Sequence, residues 1–299
     1  MQKELENLAN KNGDKLKLIP VGRLNDLKNV IEEFKSKNEL NNFQEWIVDN
    51  LYSYRIPDAD FKINSIILIV ISHAFYANVN FKFEGKNKRF FCLVRSDFDK
   101  TTEYLHEFST ENGYHILEAK ALPLKRLGTH SGLAKYGRNN ITYVDGMGSN
   151  FSYAAYFTDI ICESDSWGEA KNAELCNSCD LCVRNCPTQA ILKDRFLIDN
   201  KRCLSFFNES PGEFPEWIPT NAHHTLYDCL ICQKVCPMNK DQINKTIEDI
   251  YFNKEETNQL LSGTPIDVLS SDMKEKIFRL GIDEWYTAIP RNLKTLFEF

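Results

Sequence analysis

The stretch ELCNSCDLCVRNCPTQAI, residues 174–191, places Cys176, Cys179, Cys182 and Cys186 within eleven positions and closes on Pro187. Downstream, Cys203 stands alone and is followed by Cys229, Cys232 and Cys236, again closed by a proline, Pro237. The second group repeats the first with its leading cysteine displaced upstream. Eight of the ten cysteines thus fall between 176 and 236, while Cys92 lies in RFFCLV and Cys162 in TDIICES. Thiols clustered in this way bind metal in a reducing compartment rather than forming a disulfide framework. Cys92 and Cys162, each beside bulky apolar residues, read as core thiols.

The spacing C-x2-C-x2-C-x3-C-P narrows the metal. It is the bacterial ferredoxin run, in which three cysteines hold one [4Fe-4S] cubane and the fourth reaches a second cluster. By that crossed logic Cys176, Cys179, Cys182 and Cys236 ligate one [4Fe-4S] cluster, and Cys186, Cys203, Cys229 and Cys232 the other. Thiolates suit iron because they are soft and charged, and short loops let backbone N–H groups point at the sulfurs. Structural zinc also accepts four cysteines, but it typically takes two separated pairs, and the x3-C-P closure is not explained that way. Two neighbouring clusters relay single electrons. They do not say where the electrons go.

The rest of the chain bounds the answer. Its 299 residues, 42% of them apolar, suffice for one large domain and a smaller one. A net charge of −6 argues against a nucleic-acid binder that uses its whole surface, so any polyanion must meet a local patch. The N-terminal MQKELENLANKNGDKLK has no apolar signal core and no twin arginine, and the longest aliphatic run is IILIVI at 66–71. No export signal or membrane span is expected, and the cytoplasm is the expected location.

Along the chain, Leu24, Leu27, Ile31 and Phe34, then Phe43, Trp46, Ile47, Leu51 and Tyr54, recur at helical spacing and predict two amphipathic helices. SIILIVIS (65–72) reads as a strand buried on both faces, and RFFCLV (89–94) and YHILEA (114–119) look similar. DKTTEYLHEFSTENG between the last two suggests a helix stopped by Gly113, so strand, helix and strand predict an α/β layer. Residues 123–150 hold five of the thirteen glycines and four Lys or Arg against one Asp, a loop-rich, locally basic surface. FSYAAYFTDI (151–160) returns to strand character. After Pro237 a helical tail is expected to bury Leu260, Leu261, Ile277, Leu280, Leu293 and Phe297.

CNSCDLCVRNCPTQAI, DNKRCLSF and YDCLICQKVCPMN, with the displaced Cys203, closely resemble the double-cluster domain of the epoxyqueuosine reductase family. Its members are cobalamin-dependent iron–sulfur enzymes that complete queuosine in tRNA and are related to reductive dehalogenases. Upstream, HSGLAKYGRNN (130–140) and GMGS (146–149) resemble the family's A-G-L-G-x-x-G-K segment and the G-S that follows, which line the corrinoid. The likeness covers roughly residues 45–299 and is strongest at 120–240.

The resemblance implies an α+β protein in three parts. These are a nitroreductase-like α/β domain over 1–165 that holds base-off cobalamin, a ferredoxin-like double [4Fe-4S] module over 166–242, and a helical tail over 243–299. Gly132, Tyr136, Gly137, Arg138, Asn139, Gly148 and Ser149 are the implied corrinoid contacts. A low-potential donor such as ferredoxin or flavodoxin would feed electrons through the clusters to cobalt.

The position of the family's aspartate general acid, fourteen residues before Gly132, is Glu118 here. Burial beside Ile116 and Leu117 would suit it to donate a proton. Where the family has R-D-Y-H, this chain has Ser96-Asp97-Phe98-Asp99, which puts the substrate in question. Arg138 replaces a lysine and presents a planar fork suited to phosphate or carboxylate. Lys120, Lys125, Arg126, Lys135 and Arg138 make 118–138 the most basic stretch, a candidate tRNA contact. The competing reading is a ferredoxin-type electron-transfer protein without a substrate of its own.

Overall fold

The run SIILIVIS is an inner strand of the largest sheet in the computed structural model, which describes residues 1–72, 76–193 and 196–298. The chain passes through α1 (Gln2–Lys11), β1 (Lys15–Pro20), α2 (Arg23–Ser36), α3 (Asn42–Leu51), β2 (Ser65–Ser72), β3 (Tyr76–Phe83) and β4 (Lys86–Leu93). It continues through α4 (Asp99–Glu111), β5 (Ile116–Glu118), α5 (Leu124–His130), β6 (Lys135–Tyr136), β7 (Thr142–Tyr143) and β8 (Phe151–Thr158). The cysteine region supplies short helices α6 (Leu181–Asn185), α7 (Leu204–Asn208) and α8 (Ile231–Lys234). The tail is β9 (Ile250–Phe252), α9 (Lys254–Ser262), α10 (Ser271–Leu280) and α11 (Ile289–Phe297). Contacts divide these elements into two units, Met1–His73 with Asp97–Cys179, and Ala74–Ser96 with Asp180–Phe299.

In the first unit the strand order is β1-β2-β8-β5, every pair antiparallel. Side chains alternate faces along β2, and both faces are covered. Ile67, Ile69 and Ile71 pack with Leu5 of α1 and Leu105 of α4, while Ile66 and Leu68 pack with Leu24 and Leu27 of α2 and Leu127 of α5. An uninterrupted aliphatic run is therefore what this strand needs, and each such side chain contributes roughly 1.5–3 kcal/mol on burial. Asp14 ties β2 to α4: its buried carboxylate accepts hydrogen bonds from Ser72 N, Thr101 Oγ1 at 2.8 Å and Tyr104 Oη at 2.7 Å.

The second unit has a three-stranded sheet, β4-β3-β9. The β3–β4 hairpin turns on Glu84 and Gly85, at φ 47° and 77°, values that fit the right-handed twist of the flanking strands. β9 runs parallel to β3, pairing Val79 with Ile250 and Phe81 with Phe252. Leu260, Ile277, Leu280 and Leu293 of the helical tail close the core against Val79, Phe81 and the buried Cys92.

Several expectations change. The predicted strand–helix–strand layer is not formed, because β4 and β5 lie in different sheets. The units are not contiguous as 1–165, 166–242 and 243–299 would be: residues 74–96 group with 180–299, and β3 pairs with β9. The apolar stripe of the second predicted helix is not a core stripe: α3 buries none of its residues, and Trp46 and Leu51 are half-exposed. That helix is set by a capping box between Asn41 and Gln44. The strands β1, β3 and β9 have no counterpart among the expected elements. Among the described residues no helix is long and apolar enough to cross a membrane.

Candidate metal centre and cavity

None of the ten cysteines is in a disulfide. In the second unit, helix ends present the thiols. Cys186 ends α6 in extended backbone before Pro187, Cys203 precedes α7, and Cys236 precedes a short turn begun by Pro237. Cys229 is held between two residues in the left-handed region, Asp228 at φ 57° and Leu230 at φ 62°. That conformation costs an L-residue roughly 1–2 kcal/mol. Leu230 recovers part of this cost by burying its side chain.

These thiols form a group. Burial pushes the Cys229 thiol up to about 12, and Cys203 and Cys186 push in the same direction. Burial likewise raises the Cys203 thiol, with Cys186 adding to the effect. Cys186, from the first run, is near enough to Cys203 and Cys229 to act on both thiols. Thiolates gathered out of water repel one another unless a metal neutralises them, and a metal deprotonates its thiol ligands. The donor set fits iron–sulfur chemistry. The Ala190 N–H also donates to Cys186 Sγ at 3.2 Å, the kind of bond that tunes a cluster. No three His, Cys, Asp or Glu side chains among the described residues close around one ion position. His224 directs its ring nitrogens at the carbonyl oxygens of Ala222 and Cys229, and His223 packs on Phe214, so both belong to the wall of this segment.

In the first unit the glycine-rich stretch folds as two tight turns. Gly132 follows α5 at φ +75°, and a Cβ there would meet nothing within 4 Å; the same space surrounds Gly146. Gly137 is different, because a Cβ would stand 2.5 Å from the Tyr143 ring and 2.6 Å from Asn139 Oδ1. Tyr136, Asn139 and Ser149 are buried, and Asn139 Nδ2 donates to Tyr143 Oη at 2.9 Å. Gly148 accepts from Val144 N in the second turn. Beneath the turns lies a small apolar core of Val70, Ala134, Val144, Met147 and Phe151.

Arg138 does not offer its fork to an anion. Its guanidinium donates to the carbonyl oxygens of Cys176 and Cys179.

A cavity of about 560 Å³ opens beside this stretch. Glu118 and Lys120 line it, together with Phe98, Thr102, His106, Tyr153 and Tyr156. Tyr153 also packs against the apolar core under the turns, so cavity and turns share a wall. The desolvation expected of Glu118 is absent: its side chain is 63% exposed and pairs with Lys120 at 3.2 Å. Its neighbour Leu117 is exposed as well, because β5 is the edge of the sheet. Sequence reasoning missed His106. Phe98, Thr102 and His106 recur every four residues, so they share the face of α4 that meets the cavity, a pattern readable once the helix phase is known.

The basic stretch is partly spent. Arg126 lies over the rings of Phe34 and Tyr136, Lys120 pairs with Glu118, and Arg138 serves the cysteine carbonyls.

Comparisons with known proteins bear on the cysteine segment and on the fold. Residues 175–239 match the model of the 4Fe-4S double cluster binding domain. The epoxyqueuosine reductase of Aliivibrio fischeri is 30% identical over 151 residues, which are 50% of this chain and 39% of that protein. That of Cyclobacterium marinum is 23% identical over 238 residues, 79% of this chain and 70% of the relative. An epoxyqueuosine reductase structure from Bacillus subtilis superposes with a TM-score of 0.68 at 20% identity, over 98% of this chain and 80% of that one. An epoxyqueuosine reductase solved with an epoxyqueuosine-modified tRNA stem loop superposes with a TM-score of 0.64 at 19% identity, with the same coverage. The chain resembles epoxyqueuosine reductases in sequence and shares their fold; it spans about two fifths of the length of the Aliivibrio fischeri relative it matches.

Proposed function

We propose that this chain is an iron–sulfur reductase that passes electrons through two [4Fe-4S] clusters to a reductive step at the Glu118 cavity, the substrate being epoxyqueuosine in tRNA. The nearness of Cys186 to Cys203 and Cys229 supports this reading, because it brings thiols from two separate runs within reach of one another. Cys232 completes that set. The remaining four, Cys176, Cys179, Cys182 and Cys236, are assigned to the other cluster by their spacing alone.

Reducing an epoxide to an alkene takes two electrons and two protons and releases the oxygen as water. Cobalamin, when bound, supplies the low-potential reductant that single-electron clusters lack. The open backbone at Gly132 and Gly146, over a small apolar core, suits the face of a flat macrocycle. Tyr153 lines the cavity and packs on that apolar core, so the two adjoin. Glu118 and His106 line the cavity wall; the Glu118 carboxylate, exposed and paired with Lys120, would have to take up a proton before it could deliver one. A carrier without a substrate has no use for such a cavity.

The tRNA reading draws on the structure solved with a modified stem loop; a cytoplasmic location and a ferredoxin or flavodoxin as donor are parts of the same proposal. Its test is anaerobic. Clusters are reconstituted, cob(II)alamin is added, and the cobalt EPR spectrum is compared with and without protein. A protein-dependent base-off signal supports the reading, and an unperturbed cobalt spectrum overturns the corrinoid part of it.

A further inference from the structure

Arg138 stands in the turn between β6 and β7, residues 137–141, closed by Gly137 N–H on the Ile141 carbonyl at 2.7 Å. Its Nη2–H donates to the carbonyl oxygen of Cys176 at 2.6 Å and its Nε–H to that of Cys179 at 3.3 Å. The segment that carries it is fastened to the same cysteine run. Tyr136 N–H donates to Lys171 O at 2.8 Å, and Ala173 N–H donates to Tyr136 O at 2.7 Å. The residue after Ala173 begins the short 3-10 turn Glu174–Asn177 that bears Cys176. Among the described residues no carboxylate forms an ion pair with the guanidinium, whose acceptors are the two carbonyls.

Two properties follow from elementary chemistry. A planar fork can hold two carbonyls at a fixed separation, which a lysine ammonium on a flexible stem does less well. A cation also acts on its neighbours at a distance. A [4Fe-4S] cluster takes up one electron and no proton when reduced, so its reduced form carries one more negative charge than its oxidised form. A fixed positive charge beside two of its ligands stabilises the reduced form more.

We propose that Arg138 is a positioning residue that clamps the turn bearing Cys176 and Cys179 and raises the reduction potential of the cluster those two thiolates hold. The proposal rests on the reading of these cysteines as cluster ligands. It gives the glycine-rich turns a direct bond to the electron path. Residues assigned by resemblance to a cofactor face are then bonded to the backbone of Cys176 and Cys179, within one unit.

The test uses the full chain with both clusters reconstituted anaerobically, titrated with dithionite and followed by EPR, with iron and sulfide measured on the same samples. In Arg138→Gln one of the two couples shifts to lower potential and the other stays at its wild-type value. Arg138→Lys, which keeps the charge, recovers most of that shift. Arg138→His gives one couple whose midpoint rises as the imidazole gains its proton, a pH dependence that the same couple lacks in the wild type. Unchanged potentials in Arg138→Gln and Arg138→His at full iron content overturn the proposal. So does loss of iron from Arg138→Gln without any shift in the clusters that remain, which marks a purely structural role. Failure of the wild-type chain to assemble two clusters is a different result: it removes the ligand reading itself.

Discussion

Tyr153 lays its phenol ring over Gly128 so closely that a Cβ on that glycine would stand 2.7 Å from the hydroxyl oxygen and 3.0 Å from the ring. The hydroxyl is held there by its donation to Thr142 Oγ1 at 3.1 Å. Since Tyr153 walls the cavity and backs the glycine turns, this contact sets the distance between α5 and β8 at the site. Gly128→Ala is expected to destabilise the chain by about 1–3 kcal/mol, because the ring is stiff and must move as a whole. Tyr153→Phe should remove part of that penalty, so the double variant loses less than the sum of the single ones in denaturant titrations. Full additivity would show that the ring moves aside freely.

His130 makes stability depend on pH. Its Nδ1–H donates to Gly168 O at 2.8 Å, its ring stacks on Trp167 at 5.0 Å, and Nε2 is buried without a hydrogen-bond partner among the described residues. Burial, with Arg126 nearby, holds its pKa below the ordinary 6.5. As pH falls through 6.5 the unfolded chain therefore takes up a proton that the folded chain refuses, and stability declines. The contribution is present above that pH and lost below it. His130→Asn, whose amide can keep the bond to Gly168, should flatten the decline in Tm between about pH 7 and about pH 5.5. An unchanged slope would exclude His130 as its source.

Removing a ligand tests the crossed assignment. Cys186→Ala should cost about half of the iron and sulfide, since one of two cubanes loses a corner. Cys203→Ala should do the same, and the double variant should lose no more than either alone, because both act on one cluster. If Cys186→Ala and Cys203→Ala instead remove iron additively, the two residues serve different clusters.

Much of this was legible in the residues themselves. SIILIVIS spans β2 without error because an antiparallel strand covered on both faces needs an uninterrupted aliphatic run. Cys92 is fully buried, and Leu260, Ile277, Leu280 and Leu293 form the core of the tail, as their spacing implies. The partition was not legible. Nothing in YANVNFKF announces that its partner is the three-residue strand Ile250–Phe252, far along the chain, and that pairing is what moves 74–96 into the second unit. Trp46 and Leu51 have helical periodicity but no surface to bury against, a property of the surroundings and not of the segment.

At the site, the cysteines could be read because a metal constrains spacing. The surroundings of Glu118 could not, because exposure at a sheet edge depends on which strand lies outermost. The use of Arg138 was likewise hidden, since its partners are backbone carbonyls, which carry no residue signature.

The most direct measurement is turnover itself. The reconstituted chain, loaded with cobalamin and supplied with a low-potential reductant, is given an epoxyqueuosine-modified tRNA stem loop, and the nucleosides are weighed by mass spectrometry. Conversion to the nucleoside lacking one oxygen atom is predicted, slowed by on the order of 10²-fold in Glu118→Gln if that carboxyl supplies a proton. A preparation with full clusters and bound cobalamin that leaves the epoxide untouched would contradict the account.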